Sequence, residues 1–114
     1  MIDCIFCKIA AHDIPSEIIY EDDEIFFFED ISPQAPVHFL GIPKKHIASI
    51  SELDENDTNL ICKILLKIRD IVKDYPELNK GYRVVINTGK ESGQTVRHLH
   101  FHIIGGRHMG WPPG

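Results

Sequence analysis

Residues 98–104 read His-Leu-His-Phe-His-Ile-Ile, three histidines in strict alternation with apolar side chains. Successive side chains of a strand point to opposite faces. His98, His100 and His102 therefore share one face, and Leu99, Phe101 and Ile103 point the other way into a core. Strand geometry sets the three imidazoles about 7 Å apart along the chain. Each has an ordinary pKa near 6.5 and can act as base, acid or nucleophile at neutral pH. An inert polar face and a His-x-His metal site are the competing readings. Convergence of three titratable groups beside a Gly-containing loop favours chemistry over an inert face.

The rest of the chain supplies partners for this strand. Residues 17–22 and 24–29 read as two strands, with Asp22-Asp23 as the hairpin turn. Residues 31–36 form a loop in which Pro33 and Pro36 exclude helix. Residues 37–43 are a third strand closed by Pro43, 82–87 a fourth and 96–104 a fifth. A short helix is predicted over 4–10. One long helix is predicted over 55–74, where Leu60, Ile61, Ile64, Leu65, Ile68, Ile71 and Val72 form one apolar stripe. Asp54 serves as its N-cap and Pro76 ends the run. Cys62 falls on this helix as a buried or half-buried residue. The fold class is α+β, a mainly antiparallel five-stranded sheet with one long and one short helix, in one domain over residues 1–114. One long helix covers only one sheet face, so an exposed edge or face would invite dimerisation.

Composition narrows the partners. The formal net charge is −5, with 17 acidic against 12 basic residues, which disfavours a nucleic-acid duplex. A small anion remains possible, because backbone amides and histidines can hold phosphate on an acidic protein. The first residues lack the basic start and apolar run of a signal peptide, and no segment reaches membrane-spanning length. Three cysteines, an odd number, argue against a disulfide scaffold. A cytoplasmic location is the expectation, with no membrane partner.

The segment His98–Ile104 resembles the His-φ-His-φ-His-φ-φ signature of the histidine triad (HIT) family, where φ is apolar. FEDISPQAPVHFLGIPKKHI over 28–47 resembles the family's central segment. INTGKESGQTVRHLHFHIIGGRHMGWPPG over 86–114 resembles the C-terminal third of its Hint branch, including the terminal Trp-Pro-Pro-Gly. The similarity spans nearly the whole chain in order. It implies a homodimer with a continuous ten-stranded sheet. It also implies a purine nucleoside phosphoramidase acting on AMP- or GMP-type substrates through a nucleotidyl-histidine, with no metal in catalysis. His100 would be the nucleophile, His98 and His38 would support it, and His102 would contact the phosphate or leaving group. The same resemblance places Asn87, Gly93, Gln94 and Thr95 at the phosphate, where many relatives carry Ser in place of Thr95. Asp30 would accept the ribose hydroxyls, and Phe6, Ile9 and Ile31 would line the base pocket. Trp111 would lie near the partner subunit's active site.

Cys4-Ile5-Phe6-Cys7 is a C-x-x-C, which alone fits a redox pair, metal ligands or packed thiols. Some bacterial-type HIT proteins join such cysteines to two histidines, here His46 and His98. That donor set implies a structural zinc site with no open position. Other functions remain: a dinucleoside polyphosphate hydrolase of a neighbouring branch, a purine-nucleotide-binding or partner-binding module with incidental hydrolysis, or a metallohydrolase using the three histidines as ligands.

Overall fold

The computed structural model describes residues 4–114. Five strands form one antiparallel sheet in the order β1-β2-β3-β5-β4. They are β1 (Ile18–Glu21), β2 (Ile25–Glu29), β3 (Val37–Pro43), β4 (Tyr82–Val85) and β5 (Phe101–Gly105). A short helix α1 (Ile5–Ala10) precedes them, and the long helix α2 (Thr58–Ile71) lies between β3 and β4. The predicted fold class, with one long and one short helix, is the observed one.

The β1–β2 turn is built by one carboxylate. Asp22 Oδ1 accepts the amides of Glu24 and Ile25, and Oδ2 accepts the Tyr20 hydroxyl. Burial opposes its ionisation, yet these bonds and Lys63 outweigh it and hold the carboxyl far below the usual range. The N-terminus of α2 is also set by side chains. A capping box of Asp54 and Asp57 closes a short 3-10 turn that runs into the helix. Past Ile71 the chain tightens into 3-10 turns on either side of Tyr75-Pro76.

Strand alternation divides the sheet into two buried faces. Phe27, Phe39, Leu99, Phe101 and Ile103 form one core with Ile64, Ile68 and Ile71 of α2. Gly41 lies against the Phe27 ring on this side, leaving no room for a Cβ. The other face carries Phe26, Phe28, Leu40 and Ile42, covered by Phe6, Ile9 and Ala10 of α1. The second face is thus not left bare by the single long helix, because six residues of α1 cover part of it. The helix stripe is narrower than its sequence reading: Leu65 is about half exposed and Cys62 is exposed. Both point away from the sheet, while Ile64, Ile68 and Ile71 take the buried line.

The fifth strand is shorter than its alternation implies. Pairing begins at Phe101 rather than residue 96. Pairing with β3 stops at Gly41 opposite Phe101 although β3 runs on to Pro43, and β4 ends at Val85 opposite His102. The Leu99 amide instead bonds the Ile47 carbonyl, and the alternation of buried sides continues. The fourth strand ends at Val85, and the chain then turns away through the Gly89–Gly93 loop.

Candidate active site

His38, Leu40 and His102 lie on the α1 side of the sheet, and cross-strand register sets Leu40 opposite His102. His100 and His98 follow on the extended segment before β5. Phe6 packs edge-on to His100, with ring centroids 5.0 Å apart. Together with Ile9, Phe28, Asp30, Ile31, Leu40, Thr95, Val96 and His102 these residues line a cavity of about 370 Å³. Its inner wall is apolar, and its polar groups are the two histidines, Asp30, Thr95 and the rim near Glu29 and Ser16. A wall of this kind with a few convergent polar atoms is typical of a small-molecule site.

The backbone fixes how each imidazole is used. His100 Nδ1 lies 2.7 Å from the His98 carbonyl, so Nδ1 carries the hydrogen and Nε2 keeps its lone pair. Burial lowers the proton affinity of His100, while this carbonyl and Asp30 push the other way. His38 Nδ1 accepts the Gln34 amide at 3.0 Å, so neutral His38 carries its hydrogen on Nε2. His38 Nε2 lies 2.9 Å from His102 Nδ1 and 3.3 Å from an Asp30 oxygen. His102 therefore accepts at Nδ1 and carries its own hydrogen on Nε2. Burial and the neighbouring His100 and His38 bring the His102 pKa down to about 4. At neutral pH the site holds one imidazole with a free lone pair and one with a free N–H.

Asp30, His38 and His102 also place donor atoms within 4.8 Å of one another. A cation there would need a lone pair on His38 Nε2, the nitrogen that holds the hydrogen. The cluster is built as a chain of hydrogen bonds.

The other cluster has the opposite chemistry. Cys4, Cys7, His46 and His98 bring their donor atoms within 4.8 Å. Cys4 Sγ is 3.4 Å and Cys7 Sγ 3.5 Å from His98 Nδ1, and Cys7 Sγ is 3.3 Å from His46 Nδ1. A tetrahedron with metal–sulfur bonds of about 2.3 Å and metal–nitrogen bonds of about 2.05 Å has sulfur–nitrogen edges of about 3.6 Å. His98 donates Nε2–H to the Pro43 carbonyl at 2.7 Å, leaving Nδ1 as a ligand lone pair. Burial pushes the Cys7 thiol up to about 11 in the absence of a cation. The donor set, spacing and tautomer all fit a closed structural zinc site. His98 thus faces these thiols, away from the cavity, and meets His100 through its backbone carbonyl.

The sequence-based site residues divide by position. Phe6, Ile9, Asp30, Ile31, Thr95, His100 and His102 meet at the cavity. Phe6 and Ile9 are both core and wall, being buried against β2 and β3. Ile31 is fully exposed at the rim. Asn87 and Gly93 stand outside the cavity lining, Gly93 at a left-handed turn of φ +92°. Gln94 also stands outside the cavity lining: its amide hydrogens go to the Ala48 and Val96 carbonyls, and its oxygen takes the Gly89 amide. It shapes the loop, leaving Thr95 as the cavity's hydroxyl. Trp111 is exposed on a tail held by Arg83 to the Gly110 carbonyl. Leu40, Phe28, Val96 and the Gln34 amide were not singled out in the sequence. The apolar ones look like core, and an amide leaves no residue-type signal.

The family model described as "Scavenger mRNA decapping enzyme C-term binding" matches residues 3–111. An uncharacterised HIT-like protein of Synechococcus elongatus is 49% identical over 112 residues, 98% of this chain and 97% of that protein. The chain belongs to the histidine triad family. Among solved HIT structures, a HIT family hydrolase from Legionella pneumophila superposes with a TM-score of 0.95 at 46% identity, covering 98% of this chain and 100% of that one. A histidine triad protein from Clostridium difficile gives 0.91 at 41% identity, with 96% of each chain covered. The chain is a HIT family hydrolase-like protein, with the five-stranded sheet and two helices of the HIT fold.

Proposed function

We propose that this HIT protein hydrolyses the P–N bond at the α-phosphorus of purine nucleoside 5′-phosphoramidates. The observation that carries the reading is the pair of tautomers at the cavity: a lone pair on His100 Nε2 beside an N–H on His102 Nε2. The nucleoside occupies the apolar wall of Phe6, Ile9, Phe28 and Leu40, with Ile31 over it and Asp30 accepting ribose hydroxyls. The Thr95 hydroxyl and the backbone around Gly93 and Asn87 receive the phosphate.

His100 Nε2 attacks phosphorus, the P–N bond breaks, and the amine leaves with a proton. His102 Nε2–H is aimed at that departing group. The bound phosphate's negative charge raises the proton affinity of His102 above its value in the free protein. The Asp30–His38–His102 chain takes up one proton from solvent as the phosphate binds and passes it through His38 Nε2 to His102 Nδ1 as the His102 Nε2 proton goes to the amine, so both imidazoles end neutral. Growing positive charge on His100 is stabilised through Nδ1–H by the His98 carbonyl. Water then cleaves the nucleotidyl-histidine, releasing the monophosphate and restoring His100.

Zinc on Cys4, Cys7, His46 and His98 would supply a cross-link between α1 and the segment before β5, and no proton or electron pair in the reaction. A homodimer is also part of the proposal. β4 is an edge strand with Tyr82 and Val84 exposed, and pairing two such edges would give ten strands and cover them.

Hydrolysis of adenosine 5′-phosphoramidate by wild type and His100→Ala tests the central claim. Wild type should release AMP and, on rapid quenching, show a protein mass increased by one nucleotidyl group. His100→Ala should lose at least roughly 1000-fold in kcat. AMP binding without turnover by the wild type would move the protein to a nucleotide-binding role.

A further inference from the structure

The hydrogen-bond chain that arms His102 begins at a backbone amide on an exposed loop. Gln34 N–H is the donor that forces the hydrogen of His38 onto Nε2, and that hydrogen in turn forces the hydrogen of His102 onto its own Nε2. If the Gln34 amide drifts away, His38 is free to carry its hydrogen on Nδ1. His102 then loses the donor that selects its tautomer, and the N–H aimed at the leaving group is no longer enforced.

Most bonds of the 30–36 loop are local. Ser32 N–H goes to Asp30, and the Gln34 side-chain amide goes to the Ser32 carbonyl. At the loop's two ends, Asp30 N–H goes to the His38 carbonyl and the Asp30 carboxylate touches His38. Arg107 is the far-sequence side chain that holds the loop among the described residues. Its Nε and Nη2 both donate to the Gln34 carbonyl, at 3.2 and 3.1 Å, across 73 residues. Its Nη1 donates to the His108 carbonyl, which steadies the guanidinium. The residue before it makes this reach possible. Gly106 has φ +91°, and a Cβ there would stand 2.9 Å from Pro36 Cβ. The turn after β5 therefore presses directly on the loop. The same strand carries His102 near its start and delivers Arg107 just past its end, so clamp and relay share one element.

We propose that Arg107 is a positioning residue that fixes the tautomers of His38 and His102 by gripping the carbonyl of Gln34, the residue whose amide meets His38. This rests on the reading of His102 as the leaving-group donor, although the tautomer claim stands apart from any substrate. Arg107 contacts no reacting atom. Its two-pronged grip on one carbonyl is a guanidinium property, and a lysine ammonium reproduces only part of it.

The test uses wild type, Arg107→Lys and Arg107→Ala as full chains, with two readouts. Long-range proton–nitrogen NMR correlations of the imidazoles report which ring nitrogen of His38 and His102 carries hydrogen. Wild type should show single Nε2–H tautomers, Arg107→Ala a mixture, and Arg107→Lys an intermediate. Single-turnover rates are then compared for an alkylamine phosphoramidate of AMP and for the corresponding fluoridate, whose leaving group needs no proton. Arg107→Ala should lose about 10- to 30-fold in kcat on the amine and less than about twofold on the fluoridate, a fraction of what a full proton donor contributes. KM should stay unchanged, and Arg107→Lys should recover part of the loss. Unchanged tautomers, or equal losses on both substrates with a raised KM, would overturn the inference and leave Arg107 a loop brace only. If wild type does not turn over the phosphoramidate, the functional reading fails by itself. The NMR comparison still decides the clamp, upheld by mixed tautomers in Arg107→Ala and overturned by unchanged ones.

Discussion

Each histidine has two ring nitrogens, and the main chain decides which one is available. Carbonyls of His98 and Pro43 hold the hydrogens of His100 and His98, and an amide of Gln34 holds a lone pair of His38. The residue types were legible in the sequence, and so was their shared face. Their division of labour was not, because His98 turns to the thiols while His100 and His102 turn to the cavity. A pH dependence follows at this scale. Burial lowers His100 and takes His102 to about 4, so both stay neutral below 6.5. The unfolded chain takes up these protons near pH 6.5 and the folded chain does not. Their contribution to stability is therefore fully present above 6.5 and is lost as pH falls from there toward 4. Activity that needs a neutral nucleophile should remain level from pH 8 down past 6.5, then decline. A pH–rate profile of kcat/KM checks this, and an acid limb centred at 6.5 or above would contradict it.

At the scale of elements, alternation and capping did most of the work. The hairpin at Asp22, the strand closed by Pro43 and the helix opened by Asp54 all follow from local chemistry that a sequence displays. The fifth strand's start did not follow, since the Leu99 amide turns from the ladder to the Ile47 carbonyl, a contact made across the fold. The helix stripe shows a similar limit. Seven apolar residues at helical spacing suggest seven core positions, yet the sheet admits a narrower line. Ile68, which is 2% exposed, and Leu65, which is 48% exposed, make the contrast measurable. Ile68→Ala should cost about 2–4 kcal/mol from lost contacts and a residual cavity. Leu65→Ala should stay within about 1 kcal/mol. Urea unfolding with unchanged slope would read both, and equal losses would mean that another surface covers Leu65.

For the whole molecule, the predictions concern what joins its parts. The tetrad Cys4, Cys7, His46 and His98 ties α1 to the segment before β5 across more than ninety residues of sequence. Protein purified without a tag should hold one zinc per chain, and Cys7→Ser should hold none. Removing zinc should lower Tm by at least several degrees, since about 1 kcal/mol is about 4–8 °C for a chain of this size. Unchanged melting after full removal would mean that the thiols and imidazoles pack as well without the ion. Pairing of β4 edges predicts sedimentation at twice the chain mass, with Val84→Arg shifting the protein toward monomer; a wild-type monomer at micromolar concentration would exclude it. Among the described residues no helix is long and apolar enough to cross a membrane. The sequence by itself determined the α+β class, the hairpin at Asp22-Asp23, the capped helix and the set of histidines and cysteines, because periodicity, turns and caps act over a few neighbours. Tertiary structure decided which histidine faces which partner, where Gln94 spends its amide, and that Arg107 grips the Gln34 carbonyl. Those outcomes depend on atoms from segments far apart in the chain meeting within hydrogen-bond distance, which no local pattern encodes.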